Sequence, residues 1–438
     1  MTSTRLDGLY LLLLGSVAFV LAGFALESRV TGSLQDFKGV YYGTRCLLEH
    51  CDPYNESELL HVFLREGDAS GVLLSGQRQA VMLYVNLPAT FIFIAPLAML
   101  PWGPAHLLWM ILTAGSFILA SILIWNIGAS RAPVLSGGLI ALLLVNSIFM
   151  LMIGNTAGIA VSLCAIAVWC FLRERYVPAG ILCLAVSLAI KPHDAGLVWL
   201  YFLLAGAGSR KRALQTLLVT VVLCLASVLW VAQVAPHWMQ ELRSNMAAIS
   251  AHGGINDPGP NSINSGTATM VISLQSVISV FRDDPGIYNT VGYLVCGALL
   301  LVWSVRTVLS GFSPARAWLA LAAVSAFTML ATYHRPQDAK LLLLSIPACA
   351  MLWAEGGPTG WFALLTTAAG IVSTGDIPLL FLIPFTKNLH ADTTVLSGKL
   401  LTVMLARPAP LVLLVMGIFY LWVYARRCFS RSQEQAQI

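Results

Sequence analysis

The chain alternates between long apolar runs and short polar segments. Apolar runs of about 20 residues recur from Leu9 to Tyr424, and each could cross a hydrocarbon core about 30 Å thick. The pattern predicts an all-α, polytopic membrane protein with about 11–13 transmembrane helices, in a single membrane domain that covers residues 1–438. Two polar segments are too long to be turns, and we expect them to be outer loops that carry short surface helices: residues 27–80 and 236–285.

Both polar loops contain helical patterns. In the first, a helix-start pattern at Asn55 precedes a narrow apolar stripe that includes Leu59 and Phe63. A short amphipathic helix is therefore predicted, either on the membrane surface or packed on the protein. In the second, the helical patterns Trp238–Ser250 and Thr269–Phe281 flank a stretch rich in glycine, proline and asparagine, which favours turns.

Composition excludes a soluble protein. The chain is 58% hydrophobic and 10% charged, whereas soluble domains carry about 25% charged residues. Its net charge of +5 lies mostly in short basic clusters between apolar runs, so it bears on topology, and no nucleic-acid partner is expected. Arg5 and the basic tail at residues 426–438 are predicted to be cytoplasmic, which places the first polar loop on the extracytoplasmic side.

Two regions leave the topology open. Residues Tyr84–Leu100 are predicted to form the second span. Further on, two short apolar runs meet at Lys191, which predicts either a broken helix that reverses the chain or one bent helix with Lys191 reaching the interface. The basic clusters can all be cytoplasmic only if the chain reverses there and if one span between residues 82 and 153 is re-entrant or miscounted.

Two of the nine cysteines, Cys46 and Cys51, share the first polar loop. If that loop faces an oxidising compartment, the two could form a disulfide, and two free thiols are the alternative. A Cα separation above about 7 Å would exclude the bridge.

Three polar clusters lie beside apolar runs, where ionisable groups usually face a cavity or a partner. They are Asp36 with Lys38, Tyr41 and Tyr42; Lys191 with His193 and Asp194; and His334 with Arg335 and Asp338. If the three share one pocket, a carboxylate could take the proton of an acceptor hydroxyl while the cations stabilise a departing phosphate. Each cluster alone could instead be an interfacial anchor or a salt bridge.

Several motifs resemble, in order and spacing, those of glycosyltransferase family 87, which belongs to the GT-C superfamily of polyprenol-phosphate-sugar-dependent transferases. The resemblance covers residues 30–215 and, more loosely, 330–350. The motifs are Asp36-Phe37 with Tyr41-Tyr42, Cys51-Asp52-Pro53-Tyr54, Asn86-Leu87-Pro88, Gly154-Asn155-Thr156, Ala189-Ile190-Lys191-Pro192-His193 and Tyr333-His334.

The resemblance implies an inverting hexosyltransferase of the bacterial plasma membrane. A hexose, usually mannose, would pass from a polyprenyl-phosphate donor to a lipid or glycan hydroxyl at the extracytoplasmic face, without a metal or another cofactor. Asp36 is the expected general base. The expected donor-phosphate ligands are Lys191, His193, His334 and Arg335, and the other candidate substrate contacts are Lys38, Tyr41, Tyr42, Asn155, Asn264 and Asp338.

This chain departs from the family pattern in two places. Residues 236–285 show no pattern that aligns with the family, and we expect acceptor choice to depend on them. Arg335 adds a charge directly after His334, where the family pattern is expected to be less charged. A transporter or lipid flippase with the same charges along its path is the competing class. Against it, the two halves of the chain show no internal repeat of the kind that transporters often have.

Overall fold

A computed structural model describes residues 3–30, 32–66, 81–260, 270–387 and 394–436, with the backbone alone at residues 207, 382–387 and 428–436. Throughout this part the regular elements are helices, joined by one isolated β-bridge, so the all-α prediction is confirmed. The helices are α1 (Ser3–Arg29), α2 (Gln35–Leu48), α3 (Glu56–Glu66), α4 (Ala89–Ala98), α5 (Trp102–Gly128), α6 (Pro133–Val145), α7 (Ile148–Ile153), α8 (Ala157–Arg173), α9 (Val177–Ile190), α10 (Pro192–Leu204), α11 (Ala207–Val234), α12 (Trp238–Ser250), α13 (Leu274–Phe281), α14 (Pro285–Leu309), α15 (Pro314–Ala331), a 3-10 helix (Asp338–Ser345), α16 (Ile346–Glu355), α17 (Gly357–Ser373), α18 (Asp376–Lys387), α19 (Leu396–Ala406) and α20 (Pro408–Ala436).

Seven segments of the described chain are long and apolar enough to cross a membrane, which confirms the polytopic class. They are α1, α5, α6 together with α7, α11, α14, α15 and most of α20. Shorter apolar helices of 10–17 residues stand between them, among them α4, α8, α9 and α19. Several runs that look like single spans in the sequence are therefore broken into shorter helices, as α6 and α7 are at Asn146 and Ser147.

Arg5, Arg212 and Arg427 lie at one end of the helix bundle. Arg5 donates a hydrogen bond to Asn126 at the end of α5, and Arg427 pairs with Glu355 at the end of α16. Arg212 at the start of α11 pairs with Glu174, 2.9 Å away, at the end of α8. The connections of these helices place this basic end opposite the loops that follow α1, α7, α9 and α15.

The predicted second span, Tyr84–Leu100, is wrong. Only Ala89–Ala98 is helical, and ten residues rise about 15 Å, half of the hydrocarbon thickness. The chain on both sides of α4 contacts the first loop: Tyr54 Oη donates to the Asn86 carbonyl at 3.0 Å, and Tyr41 Oη donates to the Leu100 carbonyl at 2.8 Å. This segment therefore stays at one end of the bundle, and it is the miscounted span that the distribution of basic residues requires.

The break at Lys191 reverses the chain. Arg212, at the start of α11, donates to the Phe171 carbonyl at the end of α8, 2.8 Å away. Its neighbour Arg210 donates to the Leu203 carbonyl at the end of α10, 3.2 Å away. The end of α10 thus returns to the end of the bundle from which α9 starts, and α9 packs against α10. The broken helix is confirmed, and the single bent helix is excluded.

The loop helices follow the sequence closely. α12 has the predicted bounds, whereas α13 begins later than predicted, at Leu274. The predicted start of α3 is confirmed, because Asn55 Oδ1 accepts from the Ser57 and Glu58 amides at 3.0 and 3.3 Å. Leu59 and Phe63 of α3 are buried in the protein core, which favours packing on the protein over the membrane surface.

Cys46 and Cys51 form a disulfide at the end of α2, with their Cα atoms 5.0 Å apart. The separation lies below the limit of about 7 Å for a bridge, so the predicted proximity is confirmed. The bridge closes a short loop at the end of α2, the helix whose first turn holds Asp36.

Candidate functional site

Asp36 lies in the first turn of α2, and its position is set by the residue before the helix. Leu34 adopts a left-handed conformation with φ 57°, and its amide donates to the Met152 carbonyl at 2.6 Å. This bond ties the start of α2 to the end of α7. Asp36 is half-buried there, and its Oδ2 accepts a 2.5 Å hydrogen bond from Asn155 Nδ2.

The Gly154-Asn155 turn orients that amide. Gly154 has φ +70°, and a Cβ at this position would lie 2.8 Å from side-chain atoms of Leu34 and Phe37, so glycine is required. Its carbonyl accepts from Trp109 Nε1 at 3.1 Å. Asn155 Oδ1 accepts from the Ala157 amide at 2.8 Å, which leaves its NH2 group directed at Asp36. Asn155 is thus placed to hold the carboxylate.

Lys191 lies between α9 and α10 and pairs with Asp338. The Lys191 ammonium donates to Asp338 Oδ1 at 2.6 Å, and the two side chains are 13% and 3% exposed. The second oxygen of Asp338 accepts from the Arg335 amide at 2.7 Å. Both oxygens of this carboxylate are therefore engaged, and the lysine is held at the site by a charge of opposite sign.

Arg335 connects the site to the second outer loop. Its guanidinium donates to the Ile255 carbonyl at 3.0 Å and to the hydroxyl of Tyr333. His334, one residue earlier, forms the isolated β-bridge with Ile272, with backbone distances of 2.8 and 3.2 Å. The described part of the 236–285 loop therefore lies against the third polar cluster.

His193, Asp194 and His334 form a compact group in which Asp194 and His334 are fully buried. Asp194 Oδ1 lies 3.4 Å from His334 Nε2 and 3.7 Å from His193 Nε2, and the two imidazole rings are 5.1 Å apart. Burial lowers the pKa of His334, but the Asp194 carboxylate outweighs it, and the net shift is upward. One ligand atom from each of the three residues lies within 4.8 Å of the others.

The charges of the three clusters act on one another. Burial raises the pKa of Asp36, and the Asn155 amide and the positive charges of Arg335 and Lys191 oppose that rise. Burial alone would raise the pKa of Asp338 as well, but Lys191, His334 and His193 together outweigh it and hold this pKa well below its usual range. The structure thus brings the predicted carboxylate and the predicted cations into one site.

Three side chains predicted to contact substrate point away from Asp36, because the turn of α2 directs them to another side of the helix. Tyr41 and Tyr42 are buried, and their rings pack around Trp102 with centroid distances of 5.2 and 5.9 Å. The Lys38 ammonium lies 5.8 Å from the centroid of the same Trp102 ring. These side chains anchor α2 against α5. Asn264 lies outside the described residues.

A buried ion pair between Lys340 and Asp376 was not predicted. The lysine ammonium lies 3.7 Å from Asp376 Oδ1 and donates to the carbonyls of Asn146 and Thr374. Asp376 Oδ2 accepts from the Phe149 amide at 2.7 Å. Two lone charges in apolar sequence are the signal that could have revealed it. The pair joins the break between α6 and α7 to the break between α17 and α18.

Residues 84–332, more than half of the chain, match the family model of glycosyltransferase family 87. The matched segment includes Asn155 and Lys191, and Asp36 and His334 lie outside it. No curated protein and no solved structure matches the chain. The resemblance seen in the motifs is confirmed. The chain belongs to glycosyltransferase family 87, and it is a membrane glycosyltransferase.

Proposed function

We propose that this transferase moves a hexose, with mannose as the first candidate, from a polyprenyl-phosphate donor to a hydroxyl of a lipid or glycan acceptor. The reaction would invert the anomeric centre, with Asp36 as general base. The observation that carries the proposal is the half-buried Asp36 carboxylate, held by Asn155 within the field of Lys191 and Arg335.

Asp36 has the features of a general base. Asn155 binds its Oδ2, and within the described chain no donor binds its Oδ1, which leaves that oxygen for an acceptor hydroxyl. Burial raises the pKa of Asp36, and a base works best when its pKa approaches the working pH. The hydroxyl oxygen would attack the anomeric carbon as its proton passes to Asp36 and the bond from that carbon to the phosphate oxygen breaks.

The leaving group would be polyprenyl phosphate, which departs with more negative charge than it carries in the donor. Lys191 and Arg335 supply fixed positive charge beside Asp36, and preorganised cations stabilise charge that develops in a transition state. His193, with 42% of its side chain exposed, is the member of the cluster that solvent reaches most readily. We assign donor-phosphate binding to Lys191, Arg335 and His193, with Lys191 as the main cation.

The extracytoplasmic face is supported by two observations. The Cys46–Cys51 disulfide lies at the end of α2, the helix whose first turn holds Asp36, and disulfides persist mainly in oxidising compartments. Arg5, Arg212 and Arg427 gather at the opposite end of the bundle, as the positive-inside rule requires of a cytoplasmic end. In a bacterial plasma membrane, the site would then face outward, and the second outer loop beside Arg335 would contact the acceptor.

Transfer by the purified full-length protein tests the proposal. Radiolabelled polyprenyl-phosphate-mannose and polyprenyl-phosphate-glucose are incubated with a panel of lipid and glycan acceptors, and nucleotide sugars serve as competing donors. We expect transfer from a lipid-phosphate donor and none from a nucleotide sugar, with inverted configuration in the product. Transfer from a nucleotide sugar alone, or a retained configuration, would contradict the proposal.

A further inference from the structure

We infer that His193, Asp194 and His334 form a binding site for one divalent transition-metal ion, with Zn²⁺ the best match to the ligand types. The expected mechanism of transfer uses no metal, and the ion is inferred in addition to the donor-phosphate role proposed for His193. The inference rests on the geometry of the three side chains, and it stands whether or not the proposed donor is correct.

The distances between the ligand atoms fit a shared ion better than hydrogen bonds. Asp194 Oδ1 is 3.4 Å from His334 Nε2 and 3.7 Å from His193 Nε2. N–H···O hydrogen bonds measure about 2.7–3.2 Å, so both separations are long. In a tetrahedral zinc site with bonds of about 2.0–2.1 Å, neighbouring ligand atoms lie about 3.4 Å apart. The two oxygen–nitrogen separations therefore match edges of one coordination tetrahedron, and all three ligand atoms lie within 4.8 Å of one another.

The other nitrogen of His334 has the partner that a metal ligand requires. His334 Nδ1 lies 2.9 Å from the Thr332 carbonyl, which can only accept, so Nδ1 carries a proton. In a neutral ring, Nε2 then presents its lone pair to Asp194. Metal-binding histidines almost always donate their second ring N–H to a carboxylate, a backbone carbonyl or water, which fixes the tautomer and the ring orientation.

Burial makes the group of His193, Asp194 and His334 destabilising to the fold unless a cation is bound. Asp194 and His334 are fully buried, and within the described chain neither Asp194 oxygen nor His334 Nε2 has a hydrogen-bond partner. Unpaired buried polar groups are destabilising. A proton on His334 Nε2 would give Asp194 a donor on one side only. His193 Nε2 faces the same carboxylate oxygen and would still lack a partner. One ion bound to all three would satisfy both rings and the carboxylate together.

The ligand set also limits the kind of ion. Two imidazoles and one carboxylate suit zinc and similar borderline cations, whereas calcium and magnesium prefer oxygen ligands. Three protein ligands leave a fourth tetrahedral position open, as in zinc sites that bind a water or a substrate oxygen. His193 is 42% exposed, so an ion can reach the site from solvent.

Metal content tests the inference without any donor or acceptor. The full-length protein is purified in detergent, stripped with a chelator, dialysed with Zn²⁺ and measured by mass spectrometry. Stripped protein is also titrated with Co²⁺, whose visible absorption reports tetrahedral coordination. We expect one equivalent of Zn²⁺ and a Co²⁺ spectrum of tetrahedral type. Asp194→Asn, which keeps the side-chain shape, should weaken binding by at least about 10–100-fold, the loss typical of a disturbed metal site.

Two further variants keep the test decisive. His193→Ala removes the exposed ligand, so it should lose metal even if Asp194→Asn fails to fold. His237→Ala removes a histidine before α12 that lies outside the cluster, and it should bind Zn²⁺ as the unmodified protein does. The inference is overturned if the unmodified protein takes up no stoichiometric metal, or if His193→Ala binds Zn²⁺ as tightly as His237→Ala. Both results are read from metal content without donor or acceptor, so the proposed hexose transfer is tested separately by its own assay.

Discussion

Two buried lysine–aspartate pairs differ in what surrounds them. The Lys340–Asp376 pair has exposed fractions of 0% and 1%, and its remaining contacts are backbone groups of broken helices. The Lys191–Asp338 pair lies among other titratable side chains, including the half-buried Asp36 and the exposed His193. An ionisable residue at membrane depth suggests function by default, yet here only the pair with accessible neighbours lies at the candidate site.

Removing one member of the enclosed Lys340–Asp376 pair should give the largest effect. Lys340→Met leaves Asp376 buried without its cation, and breaking a buried pair from one side typically costs about 3–5 kcal/mol of unfolding free energy. The thermal midpoint of the purified protein should fall steeply. The double variant Lys340→Met with Asp376→Leu should recover much of the loss, because two apolar residues need no partner. A single variant as stable as the unmodified protein would contradict a structural role.

At the site, Lys191 should affect binding of the donor. Lys191→Ala removes the cation assigned to the phosphate, and a hydrogen bond to a charged group contributes about 1.5–3 kcal/mol, which corresponds to about 10–150-fold in donor affinity. Binding of a non-transferable polyprenyl-phosphate analogue, measured by calorimetry, gives the result. Lys191→Arg keeps the charge and should lose less. Equal affinity in all three proteins would remove Lys191 from the phosphate site.

Asn155 should have a smaller effect, confined to catalysis. It contacts Asp36 and the start of α8, so Asn155→Ala should lower turnover about tenfold by releasing the carboxylate, with donor affinity unchanged. A fall in donor affinity without a fall in turnover would mean that Asn155 binds substrate directly, as its motif alone suggested.

Glu241 on α12 is a third partly buried charged group, and replacing it should give the smallest effect. Burial and the neighbouring Asp52 carboxyl raise the pKa of Glu241 from 4.5 to about 7. Because the folded protein holds this proton more tightly than the unfolded chain, stability from Glu241 is present below pH 4.5 and lost as the pH rises to about 7. Glu241→Gln should flatten that part of the thermal-midpoint profile. An unchanged slope would show that Glu241 does not titrate there.

Charge at the ends of apolar runs was the reliable sequence signal. It located Asp36, Lys191 and His334, and the structure places them in one region. It also offered the reversal at Lys191 as one of two alternatives, because a charged, proline-containing break cannot stay in contact with lipid, and the structure chose the reversal over the bent helix.

The sequence could not show in which direction each side chain points. Tyr41 and Tyr42 follow Asp36 closely, but each residue of a helix turns about 100° from the last, so the two rings point into the packing against Trp102. Hydropathy alone also could not show that Tyr84–Leu100 holds only ten helical residues. The Lys340–Asp376 pair depends on contacts between distant helices, which no local pattern reports.

The central claim is that Asp36 is the base, and single-turnover transfer by Asp36→Asn tests it most directly. The amide keeps the shape of the side chain but cannot accept the proton, and general-base catalysis contributes about 10²–10⁴-fold, so the rate should fall by at least that range. Donor affinity and thermal midpoint should change little, and Asp7→Asn, an exposed substitution at the basic end, should transfer normally. Near-normal transfer by folded Asp36→Asn protein would contradict the account.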